Sequence, residues 1–117
     1  MLTSLLSDIR DRDFVSPERM GLRLKLQLGD IARLAHVHRN TLARNPDSTL
    51  VQKGLEPVVK ILAAAEELTG DADKAIIWFR HQPIVGHDGL TAMDLVEAGH
   101  ADAVLAHLED LRNGTYA

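Results

Sequence analysis

A chain of 117 residues can form one domain or two very small ones. Hydrophobic residues make up 45% of it and aromatic residues only 3%, which predicts an aliphatic core between packed helices. No apolar run reaches the roughly 18 residues that a membrane span needs, and the first residues do not have the pattern of a secretory signal. Cysteine is absent. A reducing, cytoplasmic location is therefore the expectation.

The net charge of −4 is unevenly distributed along the chain. Residues 1–60 carry ten Lys and Arg against seven Asp and Glu, whereas residues 61–117 carry three against ten. No acidic residue lies between Ile31 and Pro46. A basic half and an acidic half in one short chain suggest two different partners, although small proteins also show such imbalance by chance.

Two helices are predicted before residue 30, and no strand of useful length is expected anywhere. Apolar spacing predicts a short first helix with Leu5, Leu6 and Ile9 on one face, the charged residues 8–13 covering the rest. Residues 16–18, Ser-Pro-Glu, are a strong helix start. The apolar stripe that follows runs to Leu28, and Gly29 is expected to interrupt it.

Residues 28–45 have the spacing of a helix-turn-helix. Its predicted apolar positions are Ile31, Ala32, Ala35, Val37 and Leu42. The turn position that glycine usually occupies is His36, which would have to adopt a left-handed backbone. The second helix of such a motif enters the major groove of DNA. Side chains of the types that contact bases and phosphates are Arg33, His38, Arg39, Asn40, Thr41 and Arg44. The alternative is a plain two-helix corner with an exposed arginine face.

Four further helical segments are predicted after residue 48. A capping box of Thr49 and Gln52 is a possible start for the first, with regular helix from about Leu55 because Gly54 and Pro57 disturb the beginning. Gly70 is expected to end this helix. Asp71 should cap the next, which contains Trp78 and Phe79, both expected mainly in the core.

The segment after the 81–90 loop is predicted to form two helices. Thr91 and Asp94 form a second capping box, and Gly99 is expected to end that helix. The last helix is expected to end at Gly114 with a left-handed cap. The fold class is thus predicted as all-α, with an N-terminal helix and helix-turn-helix in residues 1–48 and a helical module in residues 49–117.

Catalytic and metal chemistry find little support in the sequence. Neighbouring acids such as Glu66 and Glu67 diverge on a helix, and there is no phosphate-binding glycine loop or nucleophile elbow. His100 and His107 are about two helical turns apart, too far to chelate one ion without a third ligand. We therefore expect neither an enzyme nor a cofactor or metal site.

Several motifs together resemble those of the Xre/MbcA/ParS-type antitoxins, and most closely a ParS-like member. They are the apolar segment 75–79 with Trp78, the glycine loop at 85–86, the helix start at 91–96, and the ending with Leu108, Leu111, Gly114, Tyr116 and Ala117. The likeness spans the whole chain because those antitoxins also carry a helix-turn-helix first. Two departures are Ala92, where the family usually has proline, and the added His87 and Asp88 in the loop.

This resemblance implies an antitoxin whose partner is a RES-domain toxin, an enzyme that degrades NAD or transfers ADP-ribose from it. The toxin-binding, inhibitory tail would consist of Leu111, Arg112, Asn113, Gly114, Thr115, Tyr116 and Ala117, supported by the helix 104–112. The helix-turn-helix would bind operator DNA and autoregulate the promoter, and the protein would form a homodimer or a hetero-oligomer with its toxin. The alternative is a stand-alone helix-turn-helix transcription regulator.

Overall fold

The structure, a computed structural model, describes residues 4–114 and is mostly helical. Its helices are α1 (Ser4–Ile9), α2 (Pro17–Leu24), α3 (Leu28–Ala35), α4 (Arg39–Arg44), α5 (Thr49–Thr69), α6 (Ala72–His81), α7 (Ala92–Glu97) and α8 (Ala101–Arg112). A two-stranded antiparallel hairpin, β1 (Arg10–Asp11) and β2 (Phe14–Val15), connects α1 to α2. No helix in this part of the chain combines the length and apolarity of a membrane span.

The 21-residue helix α5 is the central support of the fold. Helices α1, α3, α6 and α8 all pack on it, and its buried residues are Val51, Leu55, Val58, Ile61, Leu62 and Ala65. The buried side chains form one cluster that runs from Leu5 to Leu108. The two predicted regions thus share a core, and their predicted boundary falls where α5 begins.

Gly54 allows α3 to lie very close to α5. A Cβ atom at this position would come within 2.3 Å of the carbonyl oxygen of Ala35, at the end of α3. Any side chain would therefore force the two helices apart. The small residues at this crossing fix where α3 lies, and with it the helix that follows.

The hairpin was not predicted from the sequence, although its two-residue strands agree with the expectation of no strand of useful length. α1 ends at Ile9, and the backbone turns through Arg12, whose φ is 60°. Gln52 of α5 then fixes the second strand: its side chain accepts from the N–H of Val15 at 2.9 Å and donates to the Val15 carbonyl at 2.8 Å. The strand depends on a partner 37 residues away, which local sequence could not reveal.

Two predicted helix boundaries are wrong. The break after the second helix comes at Lys25 instead of Gly29, because Lys25 adopts φ 59° and the N–H of Leu26 bonds back to the carbonyl of Gly21. Gly29 lies inside α3. α5 begins at Thr49, not near Leu55, and its cap is the Ser48 hydroxyl, which accepts from the N–H of Val51. The 21-residue helix accommodates Pro57 in its interior.

Other predicted helix signals are confirmed. The Ser16 and Asp71 side chains cap α2 and α6, and Thr91 with Asp94 forms the capping box of α7. Gly70 ends α5 with a left-handed φ of 77°. Phe79 is fully buried, as expected, whereas Trp78 is half-buried at the edge of the core.

Candidate functional sites

Helix α4 is a short helix with one buried side chain. Leu42 is 1% exposed and attaches α4 to the core, as its spacing predicted. Arg39, Asn40 and Arg44 are exposed, and Thr41 is half-buried. The helix therefore has one apolar anchor and an outward face of hydrogen-bond donors.

The turn between α3 and α4 is built around His36 in a left-handed conformation, with φ 56° and ψ 41°. The N–H of Val37 bonds to the carbonyl of Ala32, and that of His36 bonds to Arg33, which ends α3 in a Schellman motif. The His36 ring Nε2 lies 2.8 Å from the carbonyl oxygen of Val96 in α7. Because a carbonyl only accepts, Nε2 must carry the hydrogen. This bond ties the turn to α7 and compensates for placing a histidine where glycine is favoured.

His38 acts as the N-cap of α4. Its ring Nδ1 accepts from the backbone N–H of Asn40 at 3.1 Å. An accepting Nδ1 carries no hydrogen, so in the neutral ring the hydrogen lies on Nε2. His38 thus contributes to the stability of α4 as well as lying among the predicted DNA contacts.

The three predicted DNA-contacting arginines differ in their surroundings. Arg33 pairs with Asp30 and, at 3.4 Å, with Glu97 of α7. Within residues 4–114, Arg39 and Arg44 have neither an ion pair nor a hydrogen bond through their side chains. The uncompensated positive charge of this surface therefore lies on α4.

The structure brings Arg33 and Arg39 together over the first turn of α3. A methyl group on Gly29 would lie 3.9 Å from Nη1 of Arg33 and 4.0 Å from Cδ of Arg39. Arg44 lies at the other end of α4, five residues on, or about 7.5 Å along the helix axis. The two free guanidinium groups on α4 can thus reach separate points on a ligand.

The other candidate site begins at the end of α8. Val104 and Leu108 are buried and attach α8 to the core, while Leu111 is 38% exposed. Arg112 Nη2 donates to Glu67 Oε2 of α5 at 3.0 Å. The helix is thereby held on α5 up to its last turn.

The chain leaves α8 through a left-handed glycine, as predicted. Asn113 is the C-cap, and Gly114 has φ 68° with its N–H bonded to the carbonyl of Leu111 at 3.2 Å. Leu111 to Gly114 therefore lie in a defined helix end. The remaining predicted tail residues, Thr115, Tyr116 and Ala117, lie outside the described residues.

A histidine pair next to α8 was not predicted from the sequence. Burial lowers the pKa of His107 in α8, the nearby His87 lowers this pKa further, and Asp110 opposes both by raising it. His87 belongs to the loop between α6 and α7, so the loop and α8 are close. The two histidines are 20 residues apart, and only the fold brings them together. Among the described residues, no three potential metal-ligating side chains converge.

The contacts of Arg33 and His36 with α7 were also missed. Their partners, Glu97 and Val96, are 64 and 60 residues away, with no local signal connecting them. Comparisons with protein families, with curated proteins and with solved structures find no match for this chain.

Proposed function

We propose that this protein is an antitoxin of a type II toxin–antitoxin system that binds its operator through α4 and inhibits a RES-domain toxin with its tail. Residues 28–45 would act as the helix-turn-helix, and residues 49–117 as the toxin-binding module. The observation that carries the DNA half of the proposal is the outward face of α4, where Arg39, Asn40 and Arg44 are exposed and both arginines are unpaired within the described chain.

The chemistry of this face suits a DNA groove. Arginine binds guanine edges or phosphates, and asparagine can bind an adenine edge through two hydrogen bonds. Both arginines belong to the stretch between Ile31 and Pro46, which has no acidic residue. This stretch therefore contains no carboxylate that would repel a phosphate. A six-residue helix anchored only by Leu42 keeps its remaining surface available to a ligand.

The inhibitory half of the proposal rests on the sequence resemblance and on the end of α8. The Arg112–Glu67 ion pair and the Gly114 turn give the tail a fixed starting point on the body. Tyr116 would supply a flat ring and a hydroxyl, a residue type enriched at binding hot spots. The acidic half of the chain would complement a basic, phosphate-binding cleft in the toxin.

The DNA half is tested by measuring binding to the promoter of the operon across a salt series. We expect tight binding that weakens steeply with salt, because bound counterions are released from the phosphates. Arg39→Ala combined with Arg44→Ala should lower the affinity at least tenfold, since each good base contact contributes about 1–3 kcal/mol. Unchanged affinity of this double variant would reject α4 as the DNA-binding element.

The toxin half is tested in cells that express the neighbouring RES-domain protein. Removing residues 114–117 should abolish protection, while Arg39→Ala with Arg44→Ala should protect like wild type. Full protection by the truncated chain would reject the inhibitory tail.

The alternative function, a stand-alone transcription regulator, is favoured by the same α4 surface. It predicts operator binding without any co-purifying protein, and no effect of the tail on cell survival. Co-purification with a stoichiometric toxin would exclude it.

A further inference from the structure

A basic cleft lies between the end of α2 and helix α6. It has a volume of about 290 Å³, and the polar side chains that line it are Arg23, Lys25, Asp73, Arg80 and His81. Three of these side chains are permanently cationic at neutral pH and one is acidic. This is a local excess of positive charge on a chain whose net charge is −4.

The charge of Arg23 is already compensated. Its Nε donates to Asp8 at 2.9 Å and its Nη1 to Asp73 at 2.9 Å. These two hydrogen bonds raise the pKa of Arg23, and the bond to Asp8 has the larger effect. Arg23 therefore forms one wall of the cleft, and with Asp8 and Asp73 it makes a triad of one positive and two negative charges.

Arg80 and Lys25 supply the remaining positive charge. Arg80 Nη1 donates to the carbonyl oxygens of Leu24 at 3.2 Å and Lys25 at 3.5 Å, which positions the guanidinium at the end of α2. Neither side chain forms an ion pair with an acid in residues 4–114. Arg80 is half-buried and positioned by backbone bonds, whereas Lys25 is exposed and can adjust to a ligand.

The cleft is close to the proposed DNA-binding surface. Lys25 is four residues before Gly29, so their Cα atoms are at most about 14 Å apart. The Cδ of Arg39 lies 4.0 Å from the Cβ position of Gly29. The major groove of DNA is about 12 Å wide and bordered by phosphates. The Cα of Lys25 is therefore at most about 20 Å from the Cδ of Arg39, a span that one DNA duplex with its groove and bordering phosphates can cover.

We infer that this cleft binds a backbone phosphate of the operator DNA, beside the groove that α4 enters. The inference rests on the proposed DNA-binding function and extends it to Lys25 and Arg80. The described lining offers positive charge and no Phe, Tyr or Trp ring on which a base could stack, so we expect its contribution to be an affinity that does not depend on base sequence. An acidic protein segment could bind the same positive charges, but the short distance between Lys25 and Arg39 favours DNA as the ligand.

The test compares Lys25→Gln with Lys60→Gln on promoter DNA over a salt series. Both changes remove one positive charge from an exposed lysine, but Lys60 lies on α5 and pairs with Glu56 at 3.1 Å. For Lys25→Gln we expect the slope of log K against log salt to become shallower by about 0.9 for the lost contact. Lys60→Gln should keep the wild-type slope.

Arg80→Gln provides a second measurement, because glutamine removes the charge and can still donate to a carbonyl of α2. It should also reduce the slope by about 0.9. For Lys25→Gln, operator DNA and a scrambled duplex should lose affinity by the same factor, since phosphate contacts carry no base information. A thermal melt shows whether Arg80→Gln is folded. If that variant is unfolded, the Lys25→Gln measurement alone decides whether the cleft binds a phosphate.

The outcomes separate this inference from the function on which it rests. If Arg39→Ala with Arg44→Ala loses DNA binding while Lys25→Gln keeps the wild-type slope, the cleft is not a phosphate site and α4 still binds DNA. If the α4 double variant binds normally, the proposed function itself fails. Loss of toxin inhibition by Lys25→Gln with an unchanged slope would instead identify an acidic protein segment as the ligand and overturn the inference.

Discussion

Helices α4 and α8 carry the two candidate sites, and the fold attaches them in different ways. α4 has six residues, one buried side chain and two unpaired arginines within the described chain. α8 has twelve residues, two buried side chains and an ion pair to α5 near its end. The first presents a charged face of its own, whereas the second is held on α5 up to its last turn.

This difference in attachment indicates what each helix can do. A short helix with few anchors keeps most of its surface for a ligand, but its position depends on the helix before it. A longer helix with two buried side chains and an ion pair in its last turn provides a firmer base for a short extension. Both rely on α5, on which α3 and α8 pack directly. The following changes test these attachments, in decreasing order of the effect that we expect.

Leu42→Ala should produce the largest effect, because it removes the only buried side chain of α4. Leucine-to-alanine changes in cores cost about 2–5 kcal/mol. Hydrogen exchange should show selective loss of protection in α4, while α8 remains protected. Leu22→Ala is the matched control: Leu22 is 74% exposed, so its loss should change stability by less than about 0.5 kcal/mol. Equal protection of α4 in both variants would contradict the single-anchor description.

Gly54→Ala should destabilise the protein by about 1–3 kcal/mol, because the added methyl group overlaps the Ala35 carbonyl. This reverses the usual sign, since replacing an unconstrained helical glycine by alanine stabilises by about 0.5–1 kcal/mol. Gly29→Ala is the control, as its nearest neighbours would be 3.9 Å away. Urea denaturation of the two variants gives the comparison. Stabilisation by Gly54→Ala would show that α3 does not lie this close to α5.

Ser48→Ala should cost about 1 kcal/mol, because the Ser48 hydroxyl caps the helix that supports both sites. Thr49→Ala should change stability by less than about 0.5 kcal/mol, although the sequence pattern favoured Thr49 as the cap. Thermal unfolding distinguishes the two. A larger loss for Thr49→Ala would instead identify Thr49 as the cap, in line with the capping box that the sequence suggested.

The smallest expected effect is a dependence of protein stability on pH that arises from His107 in α8. Burial and His87 lower the pKa of His107 in the folded protein. As pH falls below about 6.5, the unfolded chain takes up this proton before the folded one, so stability decreases. Above that pH, histidine is neutral in both states and contributes no pH dependence.

Denaturant unfolding between about pH 7.5 and pH 5 measures this effect, given the ordinary histidine pKa near 6.5. His107→Gln should flatten the profile between these two pH values. Identical profiles for wild type and His107→Gln would contradict the lowered pKa.

Local sequence signals predicted the helical character and many helix ends. Ser16, Asp71 and the Thr91–Asp94 pair cap helices as expected, because capping depends on residues within one turn. The left-handed turn at His36 and the burial of Leu42 also follow from spacing within a few residues.

The features that sequence did not predict depend on distant partners. Gln52 pairs with Val15 across 37 residues and creates the hairpin, and Arg33 meets Glu97 across 64. Lys25 adopts a left-handed conformation that usually belongs to glycine. The sequence pattern therefore placed the helix end at the nearby Gly29 instead. The basic cleft also has no local signature in the sequence, because Lys25 and Arg80 are separated by 55 residues.

The proposed inhibition is tested most directly by the NAD turnover rate of a purified RES-domain protein encoded beside this chain, measured with an excess of this protein. We expect Arg39→Ala with Arg44→Ala to suppress turnover as strongly as wild type, whereas the chain ending at Asn113 should leave turnover near the rate of the free enzyme. Full suppression by the shortened chain would contradict the account.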